Sequence, residues 1–116
     1  MGLLAPARLS AEEAERTIAA RLAWILEACE PMAVILFGSA ARGELTEASD
    51  LDLVLVFRDE RELKASRKAI FTRPPPDQRA VDLVLVTRDE FIRRRDRGGL
   101  YELVAAEGRV LRGGLE

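Results

Sequence analysis

Two short apolar runs, and the spacing between them, limit what this chain can fold into. The first, Ala33 to Phe37, ends at Gly38-Ser39; after ten intervening residues Asp50-Leu51-Asp52 opens the second, which continues to Phe57. Both have the length and the β-branched and leucine content of strands. Side chains alternate along a strand, so Asp50 and Asp52 share a face while Leu51, Leu53 and Leu55 point the other way. Two carboxylates side by side at the mouth of a sheet repel each other and lose water. Either they simply solvate a strand end, or a cation sits between them, and the simplest candidate is a divalent metal. The upstream loop supports the second reading. Gly38 lets the backbone turn sharply with its amides open to an anion, Ser39 adds a hydroxyl, Arg42 adds a fixed positive charge, and Gly43 relaxes the chain again. Anion donors on one side and carboxylates on the other would hold a metal-bound polyphosphate between them.

The chain then repeats itself. Asp52-Leu-Val-Leu-Val-Phe-Arg-Asp-Glu60 recurs as Asp82-Leu-Val-Leu-Val-Thr-Arg-Asp-Glu90, differing only where Phe57 meets Thr87. Two copies are too few for a repeat architecture. What matters is that Asp82 begins its strand, Val81 to Val86, as Asp52 begins its own. If the strands are parallel neighbours joined by a crossover helix, the two carboxylates lie one strand spacing apart, roughly 5 Å. The alternative is that Asp82 caps an edge strand in water.

The rest of the chain sets bounds. A length of 116 residues makes one domain with one modest core, and 48% hydrophobic with 33% charged residues describes an ordinary globular chain. A net charge of -2 gives no reason to expect nucleic acid as a partner. No apolar run approaches the length of a membrane span and no signal core is present, so a cytoplasmic location is expected. One cysteine, Cys29, excludes an internal disulfide framework, and the lack of histidine leaves acid-base and metal chemistry to carboxylates.

Residues 1–9 read as an irregular lead. Ser10-Ala-Glu-Glu13 has the spacing of a capping box, and a helix is expected from Ala11 to Glu30, stopped by Pro31. Its apolar stripe is Ile18, Leu22, Ile25, Leu26 and Cys29, so Cys29 reads as a small core residue. Trp24 falls roughly opposite, either under the N-terminal lead or in a subunit interface. Ser39 to Gly43 is expected to form a short helical turn and Glu44 to Ser49 a surface connection. A helix over Arg58 to Thr72 has Leu63, Ala65, Ile70 and Phe71 as apolar members, and Pro74-Pro-Pro76 ends it as a stiff loop. Thr87 caps a helix to Arg97 carrying a basic cluster, Arg93-Arg-Arg95 and Arg97, which is either a solvated face or a contact for triphosphate or an acidic partner. Leu100 to Glu107 is a further helix, Arg109 to Arg112 a last edge strand, and Gly113 to Glu116 is expected to be disordered. The sum is an α+β domain, a small mixed sheet with helices packed on one face.

Taken together, Phe37-Gly-Ser-Ala-Ala-Arg-Gly43 and Ser49-Asp-Leu-Asp-Leu53 resemble the signature of the DNA polymerase β-like nucleotidyltransferase superfamily, and are similar to its minimal nucleotidyltransferase (MNT) branch in particular. The resemblance is strong from Val34 to Val86, with a weaker echo near the C-terminus. It implies a palm-like core with the first two strands antiparallel and the third beside the second. Asp50, Asp52 and Asp82 would be the catalytic and metal-binding triad for one or two Mg²⁺ ions, and Gly38 and Ser39 would hold the phosphates of ATP. Arg42 would lie near the leaving pyrophosphate, unless it pairs with Glu44 or Glu47. MNT chains typically act as antitoxins of HEPN-family toxins, which implies AMP transfer to a tyrosine of such a partner. The acceptor site would then come from another chain or a second copy. Two other readings remain: an antitoxin that neutralises by contact alone, and a structural protein whose carboxylates hold Ca²⁺ or nothing.

Overall fold

The computed structural model describes residues 6–116. Its element order is α1 (Ala11–Ala28), β1 (Ala33–Phe37), α2 (Gly38–Ala41), β2 (Leu51–Phe57), α3 (Glu60–Phe71), β3 (Val81–Thr87), α4 (Arg88–Arg94), α5 (Gly99–Glu107) and β4 (Arg109–Gly113). The strands form a four-stranded sheet in the order β3-β2-β1-β4. β1 runs antiparallel to β2 and to β4, while β2 and β3 are parallel, with α3 as the crossover between them. The mixed sheet and the α+β class are those expected.

The Leu-Val-Leu-Val runs explain how the sheet is covered. Leu51, Leu53, Leu55 and Phe57 of β2 point with Val34 and Leu36 of β1 toward Ile18 and Ile25 of α1 and Leu63 and Ile70 of α3. Val54, Val56 and Val86 point the other way, with Ala33 and Ile35, toward Phe91 of α4 and Val104 of α5. Helices therefore cover both faces, where one covered face was expected. The reason is visible in β2, whose residues from Leu53 to Phe57 are all buried. A strand without a polar alternate must be covered twice. Each of these side chains contributes about 1.5–3 kcal/mol relative to exposure.

Local chemistry sets the helix ends. Ser10 Oγ accepts from the Glu13 N–H at 3.1 Å and Glu13 Oε1 accepts from the Ser10 N–H at 3.0 Å, the reciprocal capping box. α1 stops at Ala28, two residues before its expected end, with Cys29 in extended conformation. Cys29 is half-buried and burial pushes its thiol pKa up, as suits a small core residue. Asp59 caps α3 and Thr87 caps α4 through their side chains. α3 buries Leu63, Ser66 and Ile70, whereas Ala65 and Phe71, expected on its apolar face, are exposed. α4 ends at Arg94, short of the expected Arg97, and Arg93, Arg94, Arg95 and Arg97 are all exposed.

Two segments are held where the sequence left them loose. Residues 1–5 of the expected lead lie outside the described residues; beyond them Leu9 donates to Leu45 O at 2.9 Å and Glu47 donates to Ala7 O at 3.1 Å. At the other end Gly113 belongs to β4, Gly114 donates to Met32 O at 3.0 Å, and Leu115 packs on the second core and accepts from Arg88 Nε. The tail expected to be disordered is thus tied to the sheet. Trp24 is half-buried against its own chain: its Nε1–H donates to Pro74 O at 2.8 Å, with the Arg21 and Arg73 guanidinium carbons each 5.4 Å from the ring centre. The proline loop is its partner.

Candidate active site

The site forms where β1 ends and β2 and β3 begin. Phe37 is paired across the sheet with Asp52, so the bend at Gly38 lies directly beside that carboxylate. Gly38 has φ +71, and a Cβ there would fall 2.3 Å from Asp52 Oδ2. The chain thus uses glycine for two reasons at once, a left-handed backbone and room for the carboxylate. Ser39 and Arg42 follow in the short turn α2 and at its end. The Arg42 Nε pairs with Glu44 Oε1 at 2.9 Å, the pairing foreseen as its structural role, and its charge also reaches Asp52.

Across β2 and β3, Asp52 stands opposite Asp82 in parallel register. The repeated segments therefore bring their leading aspartates together, on the face covered further along by α4 and α5. Burial raises the Asp52 pKa above its ordinary 3.8, and the charge of Asp82, a hydrogen bond shared with Asp82 and the charge of Asp50 raise it further, while Arg42 opposes them. A carboxyl in this setting holds its proton more tightly than a free one. Asp50 stands just before the strand; it and Asp82 are exposed, whereas Asp52 is half-buried.

The structure thus sets Asp52 and Asp82 opposite each other in the sheet, with the charge of Asp50 acting on Asp52. Among the described residues no group of three His, Cys, Asp or Glu side chains is gathered as a metal-holding set; Asp52 and Asp82 face each other across the strands, and Asp50 is near enough for its charge to act on Asp52. The donor chemistry nevertheless fits a hard cation: carboxylate oxygens alone, with no imidazole in the chain and Cys29 on α1's packed side. The site is open. A hollow of about 540 Å³ lies at the other end of the sheet, lined by Glu30, Arg58, Arg112 and Glu116 among others, and contains none of Gly38, Ser39, Asp50, Asp52 and Asp82.

Sequence reasoning missed a polar strap behind the acids. Arg21 sits between Ile18 and Ile25 on the buried side of α1 and bonds Asp77 Oδ1 at 2.6 Å and Arg79 O at 2.9 Å. Arg79 in turn reaches the carbonyls of Thr46 and Ser49. The available signal was Arg21 itself, a charge three and four residues from two core isoleucines, where helical spacing calls for an apolar side chain.

Among the described residues no helix is long and apolar enough to cross a membrane. No curated protein sequence matches the chain. A crystal structure of a Sulfolobus solfataricus protein, described there as a candidate nucleotidyltransferase, matches with a TM-score of 0.53 at 18% identity, covering 85% of this chain and 82% of that one. At that identity the likeness is one of fold. The model of the family described as "Nucleotidyltransferase domain" matches residues 17–106, which include the Gly38-Ser39 bend and all three aspartates. A family match over most of its length, on a fold that brings the glycine-serine bend to the acidic pair, places this chain in the nucleotidyltransferase domain family.

Proposed function

We propose that the protein transfers a nucleoside monophosphate, AMP from ATP, to a hydroxyl group, and that the acceptor is a tyrosine of a HEPN-family toxin for which it serves as antitoxin. The observation that carries the transfer reading is the parallel register of Asp52 and Asp82 with Gly38 pressed against Asp52. The AMP donor, the tyrosine and the toxin partner rest on the resemblance of the Gly38 to Leu53 motif to MNT chains.

Each residue has a task in that reaction. The backbone around Gly38 and the Ser39 hydroxyl bind the triphosphate by donating hydrogen bonds to its oxygens. Asp50 and Asp52 would hold Mg²⁺ against the same phosphates, with Asp82 completing the set on the acceptor side. Bound there, the ion would neutralise charge on the phosphates and make a nearby hydroxyl easier to ionise. The acceptor oxygen attacks the α-phosphorus, a new P–O bond forms, the bond to pyrophosphate breaks in line with it, and the hydroxyl proton passes to the Asp82 carboxylate. Arg42, freed from Glu44, would face the departing pyrophosphate.

The test is incubation with each labelled nucleoside triphosphate, Mg²⁺ and a purified HEPN partner, followed by mass analysis. The expected product is a partner heavier by one AMP on a tyrosine. A partner that never gains nucleotide mass refutes the proposal. Neutralisation by contact alone is separated by Asp52→Ala: loss of protection supports transfer, and undiminished protection supports contact.

A further inference from the structure

We infer that Arg79 is a positioning residue for this site: its guanidinium holds the turn leading into Asp50 and Asp52 against the head of β3, the strand that carries Asp82. The inference rests on the transfer reading above. Arg79 stands three residues before Asp82. Its Nη1 donates to the carbonyl of Thr46 at 2.9 Å and to that of Ser49, the residue immediately before Asp50.

The turn it grips closes on itself and is tied to Ala7 and Arg8, but these contacts do not set it against β3. Ser49 Oγ accepts from the Thr46 N–H at 3.0 Å, the two hydroxyls lie 2.8 Å apart, and the Ser49 N–H donates to Thr46 O at 3.3 Å. None of these bonds relates the turn to β3. Two others do, the Arg79 fork and the Leu51 N–H to Ala80 O at 3.0 Å. Of the two, only the Arg79 fork grips the carbonyl next to Asp50, the carboxylate that stands outside the strand.

Arg79 is itself anchored through the backbone on both sides of its Cα. Its N–H donates to Asp77 Oδ1 at 2.9 Å, and its carbonyl accepts from Arg21 Nη2 at 2.9 Å, which also bonds Asp77 at 2.6 Å. Arg21 is 4% exposed, and its Nε has no hydrogen-bond partner among the described residues. A buried guanidinium with an unbonded N–H is a poor device for stability alone, because an apolar side chain of similar volume serves a core at least as well. What the arginines supply is placement. They reach backbone oxygens, so the aspartates are oriented without being neutralised.

The test compares Arg79→Lys and Arg79→Met with the parent and with Arg73→Met. The last breaks a comparable pair of bonds, to Trp24 O and Glu27, away from the turn. The readout is Mn²⁺ affinity of the purified protein, from the free-ion magnetic resonance signal, with a triphosphate analogue that cannot be cleaved between its α and β phosphorus. Thermal melting is followed in parallel. Both Arg79 variants are expected to weaken Mn²⁺ binding about 10-fold or more, the usual cost of losing a group that orients a ligand. Analogue affinity at saturating Mn²⁺ should stay within about twofold. Arg73→Met should melt lower with parent-like Mn²⁺ affinity. Should the Arg79 variants fail to fold, Asp77→Asn, which keeps an acceptor for the Arg79 N–H, is expected to show a smaller loss in the same direction. Parent-like Mn²⁺ affinity in the folded variants, or an equal loss in Arg73→Met, overturns the positioning role alone. A parent that binds no Mn²⁺ overturns the transfer reading and this inference together.

Discussion

Replacing Gly38 by alanine probes the tightest contact in the site. The residue has φ +71, a conformation that costs an L side chain about 1–2 kcal/mol. The new Cβ would also lie 2.3 Å from Asp52 Oδ2 and 3.2 Å from its Cγ, so the carboxylate has to move by roughly 1 Å to regain ordinary contact. Gly43 separates the two effects. It has φ +74 but nothing within 4 Å of the Cβ position, so Gly43→Ala carries the backbone strain without the clash. For a chain of 116 residues the unfolding entropy is about 0.24 kcal/mol per degree, so each kcal/mol lowers Tm by about 4 °C. Gly43→Ala should therefore melt about 4–8 °C lower and keep its transfer rate. Gly38→Ala should melt about 8–12 °C lower and lose on the order of 100-fold in rate, the usual consequence of a reacting group displaced by about 1 Å. Calorimetric melting and single-turnover transfer measure both quantities. A Gly38→Ala protein that melts no lower than Gly43→Ala and transfers within threefold of the parent would refute the argument that this glycine makes room for Asp52.

Three further outcomes are expected. Asp52→Asn removes a carboxylate that burial and two neighbouring acids disfavour, so the metal-free variant should be more stable than the parent at pH 7 by about 0.5–1 kcal/mol in urea unfolding, while Mn²⁺ binding and transfer collapse. The sign of its pH dependence follows from the raised pKa. The parent's share of stability from this group is fully present below the ordinary 3.8 and is lost as pH rises through the raised value, so the gap to Asp52→Asn should close on acidification; a gap constant with pH would contradict the assignment. Trp24→Phe loses the bond to Pro74 O and weakens the stacking of two arginines, for a loss of about 1–2 kcal/mol in urea; parent-like stability with altered sedimentation would instead place Trp24 at a subunit interface.

The amino-acid sequence by itself determined the elements and the chemistry of the site. Period-two leucines, the Ser10 capping box, the Gly38-Ser39 bend and the matching Asp52 and Asp82 segments are short-range patterns, and short-range sterics and hydrogen bonds are enough to read them. Because the duplicated segments start alike, even the Asp52 to Asp82 register was legible once the strands were taken as parallel neighbours. The tertiary structure alone decided what depends on partners distant in the chain. It covered the second face with α4 and α5, because β2 has no polar side to leave in water. It bound Gly113 to Leu115 to Met32 and Arg88, and gave Trp24 the proline loop. It joined Arg21 to the Thr46–Ser49 turn through Asp77 and Arg79. A buried charge announces that it needs a partner, but which carbonyl or carboxylate meets it is settled only when chain segments more than 50 residues apart come together.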